Sequence, residues 1–364
     1  MHFRYLTFVA GLAITLSLVQ ERVAAQAQPV NAKGEATSKA WMPPRTAAGQ
    51  PDLQGVWANN TATPLQRPKE LAGRTTLTEQ EVAALRKAAA KVFDGQGDAE
   101  FGDAYYIAVW NATQHPEQGQ HKRPEAGFDG KTGDYSSVWL VAREWDNRTS
   151  LITDPPDGRE PPLTPAAKKR ADIARASAAA AESGNFHPAS YEDLALGLRC
   201  ISFGSPRLGA GYNSYFQIFQ TADTVAIEGE MGHDVRIIPL DGQPHPPSTV
   251  QMWHDDSRGQ WVGDTLVIDS TNYKPDAFMG SSAKLHVIER FTRTSPETIK
   301  YEVTINDPDT WTKPWSVMIP LKYSKDAMFE YACHEGNYAL ADILRGARAE
   351  EKAAAEQAAK TGAK

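Results

Sequence analysis

Apolar and polar side chains alternate with a period of two along much of the chain from Cys200 onward. Successive side chains of a β-strand point to opposite faces of the sheet, so this alternation indicates strands with one buried face. Turn residues separate the runs, as at Gly232 and at Gly263 followed by Asp264. We therefore predict a mainly β fold, an antiparallel meander that closes as a barrel or packs as a sandwich, with inserted helices and a C-terminal helix. The predicted strands are 213–219, 224–231, 234–240, 266–269, 285–293, 299–305, 315–323 and 329–333.

Two helices are predicted before this β-rich region. Thr78 and Glu81 have the spacing of a capping box, and apolar residues follow at helical spacing, so the sequence predicts an amphipathic helix over 78–93. Thr164 precedes a proline, in the N-cap and N1 order that begins many helices. An Ala-rich stretch follows, and we predict a second helix over 164–183.

Three further segments have weaker patterns. Residues 94–135 are rich in Gly, Gln, Asp and His without a clear period, which predicts a long irregular segment of the kind that often carries function. Residues 137–153 favour a strand, a turn and a second strand. Asn337 is a candidate cap for a last helix that ends near Leu344.

The first residues are typical of a secretory signal peptide. Arg4 supplies the positive charge, and the apolar run over 6–19 is short for a membrane span. Small residues then allow cleavage after Ala25 or Ala27. The alternative is an uncleaved N-terminal anchor. We expect a periplasmic or secreted protein without a stable membrane anchor.

Composition changes divide the chain into four parts. Residues 1–25 form the predicted signal peptide, and 26–50 are an extended polar arm rich in small residues. Residues 51–346 are predicted to form a single β-rich domain. Residues 347–364 are rich in Ala, Glu and Lys and are predicted to be a helical or frayed tail.

The charge and the motifs exclude several classes of function. The formal net charge is −7, whereas a dedicated nucleic-acid binder needs a concentrated basic face. The sequence contains no phosphate-binding Gly-x-x-x-x-Gly-Lys loop, no His-Glu-x-x-His pair, no Cys-x-x-Cys and no Gly-x-Ser-x-Gly. We therefore predict no cofactor and no nucleic-acid partner, and we expect a small molecule as substrate or ligand. The sequence does not indicate an oligomeric state.

The sequence contains two cysteines, Cys200 and Cys333. A single pair in an exported protein is most simply one disulfide. The alternative is a thiol nucleophile at Cys333, next to His334. Adjacent residues on a strand point to opposite faces, so this adjacency does not by itself make a Cys–His couple. We predict the disulfide.

Several longer strings of residues occur together in this chain. They are PDLQGVW at 51–57, RTSLI at 148–152, DPPDGR at 154–159, IIPLDG at 237–242, GDTLV at 263–267, ERFTR at 289–293 and YACHEGN at 331–337. In these strings the chain resembles a family of uncharacterised exported bacterial proteins, over about residues 41–350. The resemblance implies export and one co-linear unit, and it assigns no catalytic residue. Gly55 and Trp57 in the first string also resemble the first strand of lipocalin-like barrels, although a buried core Trp explains them equally well.

Candidate catalytic residues are concentrated in one predicted hairpin. Glu230, His233 and Arg236 lie where every second side chain of a barrel points inward. A buried carboxylate of raised pKa can act as a general acid or base, and Arg236 can hold a substrate carboxylate or a developing oxyanion. The alternative is a set of solvated charges. His334 is the fourth candidate, at a predicted strand-to-helix junction.

Candidate substrate-binding residues combine aromatic walls with polar groups, as small-molecule sites do. They are Tyr212, Asn213, Tyr215, Gln217, Trp311 and Glu335. Trp311 is equally consistent with core packing. The weak metal alternative uses His254 and Asp255, which favour a divalent cation through nitrogen and oxygen ligands, although a polar turn explains them more simply.

These observations lead to three hypotheses of function. The first is an exported, cofactor-independent lyase, isomerase or hydrolase that uses acid–base chemistry on a small, ring-bearing organic substrate in the barrel cavity. The second is a non-catalytic periplasmic ligand-binding protein. The third is a metal-dependent hydrolase.

Overall fold

Nine strands form one antiparallel sheet that curves into a nearly closed barrel in a computed structural model, which describes residues 41–92, 102–115, 143–182 and 186–362. Neighbouring strands follow the order β5-β4-β3-β1-β10-β9-β8-β7-β6, and β2 pairs with β10 off this path. The mainly antiparallel β-barrel predicted from the sequence is confirmed. The strands are β1 (Gly55–Ala58), β2 (Ile152–Asp154), β3 (Tyr215–Gln220), β4 (Thr224–Gly229), β5 (Asp234–Pro239), β6 (Asp256–Val262), β7 (Thr265–Thr271), β8 (His286–Ser295), β9 (Thr298–Asn306) and β10 (Trp315–Ser324).

The period of two in the sequence is the alternation of inward and outward side chains. In β9 the buried residues run from Ile299 to Ile305 at every second position, and β10 repeats the pattern from Trp315 to Leu321. The two strands pair in a register that places Ile305 opposite Trp315. Inward side chains from all around the sheet meet in one core, which fills the barrel.

The barrel closes where β5 approaches β6 without a ladder of backbone hydrogen bonds. Gly259 of β6 allows this close approach, because a Cβ there would lie 2.8 Å from Cγ2 of Ile238 on β5. A side-chain bond also crosses the seam, since Nη2 of Arg236 on β5 donates to Oγ of Ser257 on β6 at 2.8 Å. Packing and side-chain bonds therefore replace the missing strand pair.

Side-chain caps begin two of the helices, as the sequence predicts. Glu81 N donates to Thr78 Oγ1 at 3.2 Å, and Thr78 N donates to Glu81 Oε2 at 2.8 Å, which completes the capping box. At the third helix Ala167 N donates to Thr164 Oγ1 at 3.2 Å. The helices are α1 (Glu79–Val92), α2 (Gly102–Gln114), α3 (Pro165–Glu182) and α4 (Ala339–Gly362).

Helix α2 corrects the prediction of an irregular segment over 94–135. Tyr106 of α2 is buried against Leu85 of α1 in a second core beside the barrel. The helical period is hard to see in the sequence because the apolar face of α2 consists of aromatic and small residues. Residues 94–101 and 116–135 lie outside the described residues.

Two strand predictions are also corrected. Strand β6 was missed because its residues are mostly polar or small, and the segment 329–333 is not a strand. Phe329 N donates to the side chain of Glu230 at 3.2 Å rather than to a neighbouring strand. Of the strand pair predicted over 137–153, the described part contains only the start of β2.

The C-terminal helix begins later and extends further than predicted. Asn337 lies two residues before α4, which begins at Ala339, so it does not occupy the cap position next to the helix. Its Nδ2 donates to the carbonyl of Leu198 at 3.1 Å. Helix α4 then continues through most of the predicted tail, 347–364. The predicted signal peptide, 1–25, and residues 26–40 of the polar arm lie outside the described residues.

A candidate binding cleft at the barrel mouth

A buried ionic network occupies the barrel interior near one end. Arg236 donates to Glu289 of β8, with Nη2 to Oε2 at 2.6 Å and Nη1 to Oε1 at 3.1 Å. Its Nε lies 3.3 Å from Oδ2 of Asp255, and the side chains of Asp255 and Glu289 are 2% and 1% exposed. Tyr301 Oη donates to Glu289 Oε1 at 2.6 Å. The guanidinium is therefore paired with two carboxylates inside the barrel.

The network holds its members in fixed protonation states. Burial alone would lower the pKa of Arg236, but the charges of Asp255 and Glu289 raise it well above its usual range. Burial raises the pKa of Tyr301, and the negative charge of Glu289 raises it further. Arg236 therefore stays charged and Tyr301 stays a hydrogen-bond donor, as suits a structural role.

The barrel interior has no room for an organic substrate. The void beside the network measures about 20 Å³. One water molecule needs about 10–15 Å³ of such space, so the void holds one water at most. Ser205 closes it from above and donates to Oδ2 of Asp255 at 2.7 Å. Side chains therefore fill the barrel around the network, and the space for an organic molecule lies elsewhere.

A much larger cleft, the mouth cleft, lies over this end of the barrel. Its volume is about 1630 Å³. It is lined by connections between strands, including residues after β1, before β3, before β6 and between β7 and β8, and by one face of α3. Most of one wall is the segment 194–216, which crosses the mouth before it enters β3.

The disulfide fixes this wall. Cys200 and Cys333 are bridged, with Cα atoms 5.8 Å apart, as the sequence predicts. Nearby, the rings of Phe203 and Tyr331 meet edge to face with centroids 5.5 Å apart. The bridge therefore joins the segment in front of β3 to the segment between β10 and α4, and both contribute aromatic side chains to the mouth cleft.

Trp253 and Arg199 line the mouth cleft, and Lys274 lies against Trp253 next to Pro275 of the lining. Nζ of Lys274 lies 4.5 Å from the centre of the Trp253 ring, and the guanidinium carbon of Arg199 lies 5.8 Å from it. Arg199 also lies 5.2 Å from the centre of the Tyr191 ring. These are cation–π distances.

The two other arginines of the mouth cleft have different partners. Nη2 of Arg207 donates to Oδ2 of Asp234 at 2.6 Å. Nη1 of Arg143 donates to the carbonyl of Thr61 at 3.0 Å, and its guanidinium lies 4.9 Å from the centre of the Tyr105 ring. Burial of the Arg143 guanidinium lowers its pKa.

Two carboxylates of the mouth cleft are occupied by backbone N–H groups. Asp103 accepts a hydrogen bond from Leu65 N at 2.6 Å, and burial raises its pKa. Asp193 accepts from Ala189 N at 2.8 Å and from Ser190 N at 2.9 Å. Both groups fix loops and lack a geometry that would direct them toward a ligand.

Glu230 and Arg236, both predicted to be catalytic, have separate surroundings. Glu230 is buried between Phe329 N, which donates to it at 3.2 Å, and the side chain of Asn213. Burial raises the pKa of the Glu230 carboxyl. Arg236 points into the barrel and is committed to the ionic network, so it does not face the mouth cleft.

The structure does not bring the four predicted catalytic residues around one pocket. The remaining two are His233 and His334. Gly232, at φ +79°, and His233, at φ +54°, break the strand alternation. The His233 side chain is 47% exposed, and its Nε2 lies 2.9 Å from Oε1 of Glu228. His334 is exposed in the segment between β10 and α4.

The predicted substrate-binding residues divide into two groups. Tyr212, Asn213 and Tyr215 line the mouth cleft. Gln217 lies on the outer face of β3, because the residues on either side of it point into the core. Trp311 is buried with its ring 5.5 Å from that of Trp315, which corrects its assignment to a ligand site. Glu335 is exposed beside His334.

The metal alternative gains no support. Nε2 of His254 lies 3.3 Å from the carbonyl of Ile201, whereas Asp255 points into the barrel toward Arg236. Within the described ranges, no group of three or more His, Cys, Asp or Glu residues is arranged to hold a metal ion.

Arg199, Trp253 and Lys274 were not predicted from the sequence. They come from three separate connections, and no motif joins them. The one available signal was the position of Arg199 next to Cys200, which the disulfide holds at the mouth.

The chain matches no protein-family model, no curated protein and no solved structure. Its resemblance to exported bacterial proteins therefore stays a prediction. Of the helices in the described parts of the chain, none combines the length and the apolar character that crossing a bilayer requires.

Proposed function

We propose that this protein binds a small, ring-bearing organic molecule in the mouth cleft. The observation that carries the proposal is an aromatic cleft of about 1630 Å³ above a barrel whose interior is filled. Small-molecule sites usually measure about 300–1,000 Å³ and combine apolar walls with a few polar groups. The mouth cleft offers more than that space, with rings from Phe203, Trp253 and Tyr331 on its walls.

The arrangement of charges supports binding above catalysis. An acid–base enzyme needs a titratable group within hydrogen-bond reach of the reacting atoms. Asp103 and Asp193 are occupied by backbone N–H groups, Arg207 is paired with Asp234, and Arg236 is enclosed in the barrel. Asp103, Asp193 and Arg207 hold the walls of the cleft in place. Arg236 holds the barrel below them.

The compartment we propose is the periplasm or the exterior of the cell. Disulfides persist in oxidising compartments and are rare in the cytosol. The Cys200–Cys333 bridge is compatible with export, and so is the predicted signal peptide.

A fluorescence titration tests the proposal. The probe is N-phenyl-1-naphthylamine, a neutral molecule with a naphthyl and a phenyl group. Gly209 lines the mouth cleft, and a Cβ placed there would meet nothing within 4 Å. Gly209→Trp should fill part of the cleft and weaken probe binding by about tenfold, equivalent to roughly 1.4 kcal/mol. Gly346→Trp is the matched control, because Gly346 in α4 is equally unobstructed and lies outside the lining. Equal affinities for the two variants would contradict the proposal.

The cofactor-independent enzyme predicted from the sequence is the second candidate. One observation favours it: Glu230 is buried with a raised pKa directly behind Asn213 and Tyr215, which line the mouth cleft. Burial, and then the charge of Glu230, raise the pKa of Tyr215. For a substrate found by screening, Glu230→Gln should lower kcat by at least about a hundredfold if this carboxyl moves a proton. Unchanged turnover would remove Glu230 from the mechanism.

A further inference from the structure

Two cations share the ring of Trp253, a residue of the mouth-cleft wall. Lys274 and Arg199 lie 4.5 and 5.8 Å from the centre of the Trp253 ring. Both side chains are half-buried. Both cations are therefore held beside the Trp253 ring and partly shielded from water.

Neither Arg199 nor Lys274 has a carboxylate partner among the described residues, whereas two arginines near this end of the barrel do. Arg207 is paired with Asp234 at 2.6 Å, and Arg236 with Glu289 at 2.6 Å. Buried or half-buried cations are usually paired. Arg143 and the buried Arg67 lack a carboxylate too, but their guanidinium groups donate to carbonyl or hydroxyl oxygens of the chain. Arg199 and Lys274 lie against the Trp253 ring instead.

The acidic residues of the mouth cleft do not neutralise this pair. Asp103 and Asp193 accept hydrogen bonds from backbone N–H groups. Glu192 and Asp276 also line the cleft, but their side chains are exposed and make no ion pair with either cation. A positive charge next to an aromatic wall is left without a counter-charge from the described residues.

We infer that Arg199 and Lys274 form an anion site beside Trp253, so that the ligand of the mouth cleft is a ring-bearing organic anion. Its carboxylate or sulfonate group contacts the two cations, and its ring lies against the aromatic wall. Arg is suited to such groups because its planar guanidinium donates two parallel hydrogen bonds, and charge-assisted bonds are about twice as strong as neutral ones. This inference rests on the proposed function and adds the charge of the ligand to it.

Two probes with the same rings separate the two proposals. The first is 1-anilinonaphthalene-8-sulfonate, and the second is N-phenyl-1-naphthylamine, which lacks the sulfonate. In the full chain, Arg199→Gln with Lys274→Gln should weaken binding of the sulfonate probe by about tenfold and change binding of the neutral probe by less than about threefold. The control is Arg290→Gln with Lys325→Gln, which removes two exposed cations outside the cleft lining.

The outcomes distinguish failure of the inference from failure of the proposed function. If the double variant weakens both probes equally, or leaves the sulfonate probe unchanged, the anion site is contradicted while the binding cleft stands. If Gly209→Trp affects neither probe, the cleft itself is contradicted. Should the double variant fail to fold, the salt dependence of the native chain decides: the affinity for the sulfonate probe should fall between about 0.01 and 0.5 M salt and that for the neutral probe should not. Equal salt dependence would contradict the anion site.

Discussion

At the scale of single residues, one arginine organises the barrel interior. Arg236 reaches from β5 to Glu289 on β8, Ser257 on β6 and Ser270 on β7. The guanidinium of Arg236 thus connects β5 to side chains on three other strands. One of them is β6, which no backbone ladder joins to β5. A residue that seemed suited to catalysis in the sequence instead closes the barrel.

Removing one member of this network should be costly. Glu289→Gln keeps the size of the side chain but deletes a buried charge that pairs with Arg236. We expect the free energy of unfolding to fall by about 3 kcal/mol, because the buried charge-assisted bonds that Arg236 donates to Glu289 are lost and only Asp255 remains as its carboxylate partner. Arg290→Gln is the control on the same strand, where the side chain is exposed, and it should change stability by less than about 0.5 kcal/mol. Urea unfolding measures both. A loss below about 1 kcal/mol for Glu289→Gln would show that the network contributes little.

Glu230 should make stability depend on pH in a defined direction. Burial raises its pKa in the folded state, so its contribution favours folding most below the unfolded-state pKa and is lost as pH rises through the folded-state pKa. The stability of Glu230→Gln relative to the native chain should therefore increase between about pH 4 and pH 7. Urea unfolding at both pH values measures this, with Glu297→Gln, at an exposed site, as control. A relative stability that falls over this range would contradict the buried carboxyl.

At the scale of elements, the connections rather than the strands build the mouth cleft. The wall 194–216 carries no strand before Tyr215, and its shape depends on the bridge from Cys200 to Cys333 and on the contact between Phe203 and Tyr331. Loops placed on a rigid sheet commonly carry binding sites.

The disulfide should stabilise the whole fold because it closes a long loop. The two cysteines are 133 residues apart. In the chain-entropy account the double substitution Cys200→Ser and Cys333→Ser should lower the free energy of unfolding by about 5 kcal/mol. Denaturant unfolding measures this loss, and non-reducing peptide mapping of the native chain should recover the linked peptides. Two freely alkylated thiols in the native chain would contradict the bridge.

Local signals in the sequence predicted the elements, and their limits explain what was missed. The alternation of side chains in 299–305 and 315–323 is a local property, and so is the capping box at Thr78. The sequence therefore predicted β9, β10 and α1 correctly. Strand β6 was missed because Ser257 and Gly259 give its inner face no apolar pattern. Both residues serve the barrel's closure, which is a long-range feature.

The candidate site was predicted only in part for the same reason. Tyr212, Asn213 and Tyr215 precede or begin a strand whose pattern is plain, and they do line the mouth cleft. Arg199 and Trp253 come together only when separate connections fold over the mouth. Spacing along the chain carries no information about such a meeting.

At the scale of the whole molecule, a filled barrel supports an open cleft. The void beside Arg236 in the barrel measures about 20 Å³, against about 1630 Å³ in the cleft at the barrel mouth. The rigid sheet fixes the positions of the connections, and the disulfide and the helix α3 complete the walls. We therefore expect ligands to bind at the mouth of the barrel.

A crystal structure of the chain soaked with 1-anilinonaphthalene-8-sulfonate tests this claim most directly. We predict that its rings lie in the mouth cleft beside Trp253, with the sulfonate within about 3 Å of donor atoms of Arg199 and Lys274. Rings in the mouth cleft with the sulfonate directed elsewhere would preserve the cleft and contradict the anion site. Density for the probe only on the outer face of the sheet, with the mouth cleft empty, would contradict the central claim.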